Sequence, residues 1–158
     1  MCEVLKFRLH HATPVKFVHE YLLASQDGMQ TLAYEVFHPM LRSMVYYLLE
    51  LSRMSYELVP TRPSLVAAAA VFLGRATLGI RCQESETADS NGFWTKTLEF
   101  YTQYTVEQLK STVQVLLHYH RGAEEASLHA VFSKYNKAKF TYVATKTALS
   151  LPELGLDN

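Results

Sequence analysis

The sequence predicts an all-α domain, a five-helix bundle built around a buried, alanine-rich central helix at about residues 63–79. Apolar residues recur at i, i+3, i+4 spacing in several stretches, whereas apolar–polar alternation of strand length is missing. The stretch PSLVAAAAVFLGRATLG, Pro63 to Gly79, sets four successive alanines, Ala67 to Ala70, among Leu65, Val66, Phe72 and Leu73, with no charge before Arg75.

Alanine has the highest helix propensity and almost no side chain, so a run of it lets neighbouring helices approach closely. A helix apolar on nearly every side is a surrounded one. A membrane is excluded as its surroundings: a span needs about 20 apolar residues, and Leu65 to Leu73 supplies less than half of that before Arg75 and Arg81.

The first helix starts at Thr13-Pro14, with threonine as cap and proline, preset in φ and lacking an N–H, at the first helical position. Phe17, Val18, Tyr21 and Leu22 form its buried stripe. After the turn residues Asp27 and Gly28, a second helix is expected from His38 or Pro39, with Leu41, Met44, Val45, Leu48 and Leu49 on one face, ending around Tyr56 to Val59. The link PTRP then breaks the chain, and the central helix begins at Pro63 or Ser64. Gly79 to Gly92, containing QESETADSNG, reads as a solvated loop.

Trp94, Leu98 and Tyr101 mark a short additional helix. Thr105 with Gln108 three residues on is a capping box, and Val106, Leu109, Val113, Leu116 and Leu117 follow on one face. A last helix is expected over Ser127 to Lys137, with Leu128, Val131, Phe132 and Tyr135 inward and lysines outward. The tail LPELGLDN reads as irregular. The predicted core includes Ala68, Ala69, Phe72, Trp94, Leu98, Leu109 and Tyr135.

Composition and spacing argue against several chemistries. Fifteen basic residues balance fifteen acidic ones, so no global field attracts nucleic acid or an anionic membrane. Cys2 and Cys82 lack C-x-x-C spacing and read as free thiols of a reducing compartment. The start MCEVLKFRLHHATP has no unbroken apolar core with a small-residue cleavage site, so it is not read as a signal peptide. The expected location is nucleus or cytoplasm.

His10 and His11 are adjacent, and His118 and His120 lie two apart, so neither pair shares a helix face as metal ligands at i, i+4 do. GRATLG lacks the Lys and Ser or Thr of a phosphate loop, and no G-x-S-x-G elbow occurs. Glu124 and Glu125 suit the approach to a helix N-terminus. The segment SKYNKAKFTYVATK interleaves Lys134, Lys137, Lys139 and Lys146 with Tyr135, Phe140 and Tyr142, a pattern compatible with nucleic acid but read as a solvated face running into a packed tail. No catalytic residue, metal or cofactor is expected.

Leu5-x-Phe7-x-Leu9 followed by Thr13-Pro14 and Phe17 resembles the linker and first helix of the C-terminal cyclin box of mitotic, A/B-type cyclins. Tyr47-Leu48-Leu49-Glu50-Leu51-Ser52, Tyr56, and Pro63-Ser64 with the alanine-rich helix are similar to that box's second and third helices in order and spacing. Trp94, Thr97-Leu98, Tyr101, Tyr104-Thr105 and Leu109 resemble the run before its fourth helix, and Lys134-Tyr135 with Tyr142-Val143-Ala144 its last helix and exit. Val18 in place of a usual leucine, and long loops at Ser25 to Val36 and Arg81 to Phe93, mark a divergent member. Two R-x-x-L strings, Arg62 to Leu65 and Arg75 to Leu78, resemble the family's destruction signal, but they fall at or in the predicted central helix and are read as coincidence.

The resemblance implies a cyclin-box bundle and a non-catalytic regulatory role in cell division toward a cyclin-dependent protein kinase. It divides the chain into an entry segment (1–12), a box-like domain (13–145) and an irregular tail (146–158). In the family most kinase contacts and the substrate-docking patch belong to an N-terminal box that these residues do not match. Leu5, Phe7 and Leu9, alternating outside any helix, are the candidate partner interface. Other readings are a transcription-factor-IIB-like module binding DNA and protein, a free-standing interaction module, and a small hydrolase using Cys82 with a histidine.

Overall fold

The computed structural model describes residue 4 and residues 11–26, 31–82, 92–127, 129–147 and 149–156, with the backbone alone at 31–37. Among these residues the regular structure is entirely helical: α1 (Pro14–Ala24), α2 (Thr31–Ser52), α3 (Pro63–Thr77), α4 (Lys96–Thr102), α5 (Val106–Gly122) and α6 (Ala130–Tyr135), followed by 3-10 turns at Ala138–Phe140 and Val143–Thr145.

The alanine-rich helix α3 is the centre, packed against α1, α2 and α5. Every residue from Val66 to Ala76 is buried. Small side chains permit this: a Cβ added at Gly74 would lie 3.2 Å from Leu41 Cδ1 and 3.3 Å from Val45 Cγ2 of α2. Ala68 and Ala69 have no exposed surface. Ala68→Leu or Ala69→Leu should therefore overpack the core and lower stability by about 1–3 kcal/mol, read as a lower urea midpoint; an unchanged midpoint in both variants is the contrary result.

Several local signals act as predicted. Pro14 and Pro63 open α1 and α3. The Thr105–Gln108 capping box starts α5, with the Thr105 N–H donating to Gln108 Oε1 at 3.0 Å. Leu109, Val113, Leu116 and Leu117 are buried on its inner face. Val18, Tyr21 and Leu22 of α1 are buried, with Phe17 half-buried beside them.

Other boundaries differ. Thr13 precedes α1 without a side-chain cap; its backbone carbonyl accepts from the Lys16 N–H at 3.0 Å instead. Helix α2 begins at Thr31 rather than at His38 or Pro39, and Pro39 lies in its interior. Leu32, Ala33 and Glu35 are strong helix formers, and they extend the helix ahead of a proline that reads locally as a start. At its other end α2 stops at Ser52, whose Oγ donates to the Leu49 carbonyl at 2.8 Å. Turns through Ser55 follow, leaving Tyr56 and Val59 exposed while Leu58 is buried.

The last helix is also shorter than predicted. It covers Ala130–Tyr135, and the chain then leaves the helical path at Asn136 (φ −87°, ψ 52°) and bends through extended Lys137 (φ −137°, ψ 153°). The bend brings the Phe140 ring within 4.7 Å of Tyr135, whose other neighbour is Tyr47 at 5.4 Å. In a straight helix, residues five apart point in directions about 140° apart, so continuation would separate those two rings. Leu128, the Asp27–Gly28 turn and residues 83–91 of the polar loop lie outside the described residues. The described tail residues 149–156 form turns that bury Leu154 and Leu156 in the core.

Candidate partner-binding surface

The interior polar groups hold helix ends together. Arg75, which as a sequence feature marked only the end of an apolar run, is fully buried. Its Nε donates to the Phe93 carbonyl at 2.8 Å, and one terminal nitrogen donates to the Ser25 carbonyl at 2.7 Å and to Ser25 Oγ at 3.0 Å. Ser25 is the C-cap of α1, where unpaired carbonyls concentrate negative potential, so the guanidinium meets a complementary helix end. One side chain of α3 thus fixes α1 and the entrance to Trp94. A lone arginine on an apolar helix is the signal that could have revealed it, since a charge there must be exposed or satisfied.

Trp94 lies just before α4, fully buried, with its ring 6.0 Å from Phe72 and its Nε1–H donating to the Tyr104 carbonyl at 3.1 Å. Thr95 caps α4 by accepting from the Leu98 N–H at 2.9 Å. Leu98 and Leu109 are fully buried, Phe72 likewise, and Tyr135 nearly so. Tyr101 lies in α4, the short helix it marks in the sequence, and is exposed, pairing edge-on with exposed Phe100.

His120 is a second buried polar group. Its Nδ1 lies 3.4 Å from the Tyr47 hydroxyl and the two rings meet edge to face at 5.4 Å. Burial is the main force lowering its pKa; the Lys146 backbone opposes the shift and the Arg121 charge adds to it. Its folded pKa thus lies below the unfolded value of about 6.5, and the unfolded state binds the proton first. The contribution to stability is complete above about pH 6.5 and is lost, by up to about 1.4 kcal/mol per pH unit, as pH falls toward the folded pKa. Urea midpoints between pH 7 and 5 should fall less steeply for His120→Gln than for the unmodified chain; parallel profiles are the contrary result.

Among the described residues no three His, Cys, Asp or Glu side chains come together as metal ligands. The Cys82 thiol donates to the Gly92 carbonyl at 3.1 Å, within a bridge that also joins the Cys82 N–H to that carbonyl at 2.9 Å. Among the described residues no helix is long and apolar enough to cross a membrane.

The surface carries the remaining options. An apolar groove of about 200 Å3 runs between Leu51, Met54, Tyr119, Ala126 and Phe132. A more polar cleft, of about 500 Å3, lies between α2 and the 134–140 segment and is bordered by Arg42, Lys134 and Lys139. The predicted interface residues Leu5, Phe7 and Leu9 lie outside the described residues.

Comparison with known proteins accounts for this arrangement. Residues 12–149 match the family described as Cyclin, C-terminal domain. The chain is 35% identical over 152 residues to Cyclin-B2-1 of Oryza sativa subsp. japonica, covering 96% of this chain and 31% of that protein. It is 33% identical over 144 residues to Cyclin-A2-1 of Arabidopsis thaliana, covering 91% and 29%. With the G2/mitotic-specific cyclin-B of Drosophila melanogaster it shares 33% over 108 residues, covering 68% and 20%. The chain thus spans about a third or less of the length of these relatives. An all-helical domain, the ordered helix signals from Thr13 to Ala144 and this similarity along almost the whole chain agree, and the chain belongs to the cyclin family as a cyclin C-terminal domain.

Proposed function

We propose that this domain works as the second box of a mitotic-type cyclin, helping to bind and activate a cyclin-dependent protein kinase in the nucleus or cytoplasm without chemistry of its own. The observation that carries this reading is the similarity to both A- and B-type cyclins across most of the chain. The packing is compatible with it. Arg75, Trp94 and His120 join helices to one another in the interior, which leaves exposed faces for a partner. Leu5, Phe7 and Leu9 are proposed to pack against a first box or directly against the kinase, because their apolar alternation suits an extended segment.

The test joins this chain to the first box of a relative and compares it with the same protein lacking residues 13–145. Deletion should weaken retention of a cyclin-dependent kinase on a column and reduce its activity on a histone substrate. Equal retention and activity would count against the proposal. Salt-dependent DNA binding by the isolated chain, without kinase binding, would favour a transcription-factor-IIB-like module.

A further inference from the structure

Arg42, Tyr46 and Glu50 stand at i, i+4, i+8 along α2 and so form one stripe on its surface. Facing them across the cleft of about 500 Å3 are Lys134, Lys139 and Phe140. Three cations thus border a space with one carboxylate, on a chain whose formal net charge is zero. That carboxylate is already engaged: Glu50 Oε1 accepts from Lys134 Nζ at 2.5 Å and from the Tyr135 hydroxyl at 2.9 Å.

Each cation is steadied by a ring. Arg42 lies 5.8 Å from the Tyr46 centroid, Lys134 4.9 Å from Tyr135, and Lys139 5.6 Å from Phe140. Such contacts restrict long side chains before any ligand arrives, which lowers the entropy lost on binding. The cleft volume falls within the usual range of ligand sites. From these features we infer that the cleft between α2 and residues 134–140 is a docking site for an acidic peptide segment of a partner protein.

Carboxylates fit this geometry better than nucleic acid does. Base stacking needs open ring faces, but Tyr135 is buried between Tyr47 and Phe140, and the Tyr46 and Phe140 rings carry cations. The guanidinium of Arg42 can take a carboxylate through two parallel hydrogen bonds, while Lys139 supplies a point charge. Glu50 is the internal rival of the incoming acid, because both attract Lys134.

The test uses the full chain and a fluorescein-labelled nonapeptide of Glu-Glu-Tyr repeats, with the glutamine-for-glutamate peptide as control, followed by anisotropy at about 50 mM salt, where surface charges are weakly screened. The acidic peptide should bind and the glutamine peptide should not. Arg42→Glu and Lys139→Glu should each weaken binding about tenfold. Lys16→Glu on α1, an equal change in net charge, should leave it within about twofold. Glu50→Gln should tighten binding several-fold, a gain that misfolding cannot produce. Absence of binding by the acidic peptide, equal loss in Lys16→Glu, weaker binding in Glu50→Gln, or tighter binding of a single-stranded oligonucleotide through the same residues would each overturn the inference.

Discussion

Arg75→Met is expected to lower the unfolding free energy by about 3–5 kcal/mol, measured as a fall in the urea midpoint with an unchanged slope. Methionine fills much of the same volume, so the loss comes mainly from hydrogen bonding rather than from a cavity. The Ser25 and Phe93 carbonyls would each lose a charged donor in a fully buried setting. Hydrogen bonds to charged groups contribute about 1.5–3 kcal/mol each, and an orphaned buried carbonyl keeps its desolvation penalty. Replacing a whole buried ionic group by apolar residues can be neutral when both partners are removed. Here the acceptors are backbone and stay behind. Arg75→Lys should recover only part of the loss, since one ammonium cannot reproduce the guanidinium fork between α1 and Phe93. Native-like midpoints in both variants would show that Arg75 is not the clamp described.

Trp94→Ala should cost about 3–5 kcal/mol, through lost burial and the cavity left beside Phe72. For a domain of this size that corresponds to a fall in Tm of roughly 10 °C. Trp94→Phe separates the two components. It keeps most of the apolar contact but removes the Nε1–H donor to the Tyr104 carbonyl, so its smaller loss should be about 1–3 kcal/mol. Because Tyr104 also meets Ser64 at the start of α3, with 2.8 Å between the hydroxyls, both variants should loosen the junction of α3 and α5. Faster amide exchange at Thr105 to Leu109 would report that loosening, and unaltered exchange in Trp94→Ala would contradict it.

These residues show which features were legible in the sequence. Signals confined to one or two turns could be read directly: the prolines at the starts of α1 and α3, the Thr105–Gln108 capping box and the inner face of α5. Their physics is local, involving orphan amides, a fixed φ and a helical period. Pro39 misled because a local start signal was overridden by helix-forming residues ahead of it. The last helix misled because a continuous polar–apolar pattern cannot reveal that Phe140 returns to pack its ring, tilted, against Tyr135. The partners of Arg75 and His120 were unreadable because they are distant in sequence: Ser25 is 50 residues from Arg75, and Tyr47 is 73 from His120.

The candidate partner surface divides in the same way. The alternation of Lys134, Lys137 and Lys139 with aromatic residues is visible in the chain, but its association with Arg42 and Glu50 of α2 is not. The sequence by itself determined the helical class, the buried alanine-rich centre and the resemblance to a cyclin box, because periodicity, small side chains and ordered capping signals act over a few residues. Tertiary structure alone decided that a lone arginine closes α1 onto α3, that a histidine is buried against Tyr47 inside the bundle, and that three cations border one cleft. Hydrogen bonding, desolvation and charge attraction between distant segments depend on distances that exist only once the helices have packed.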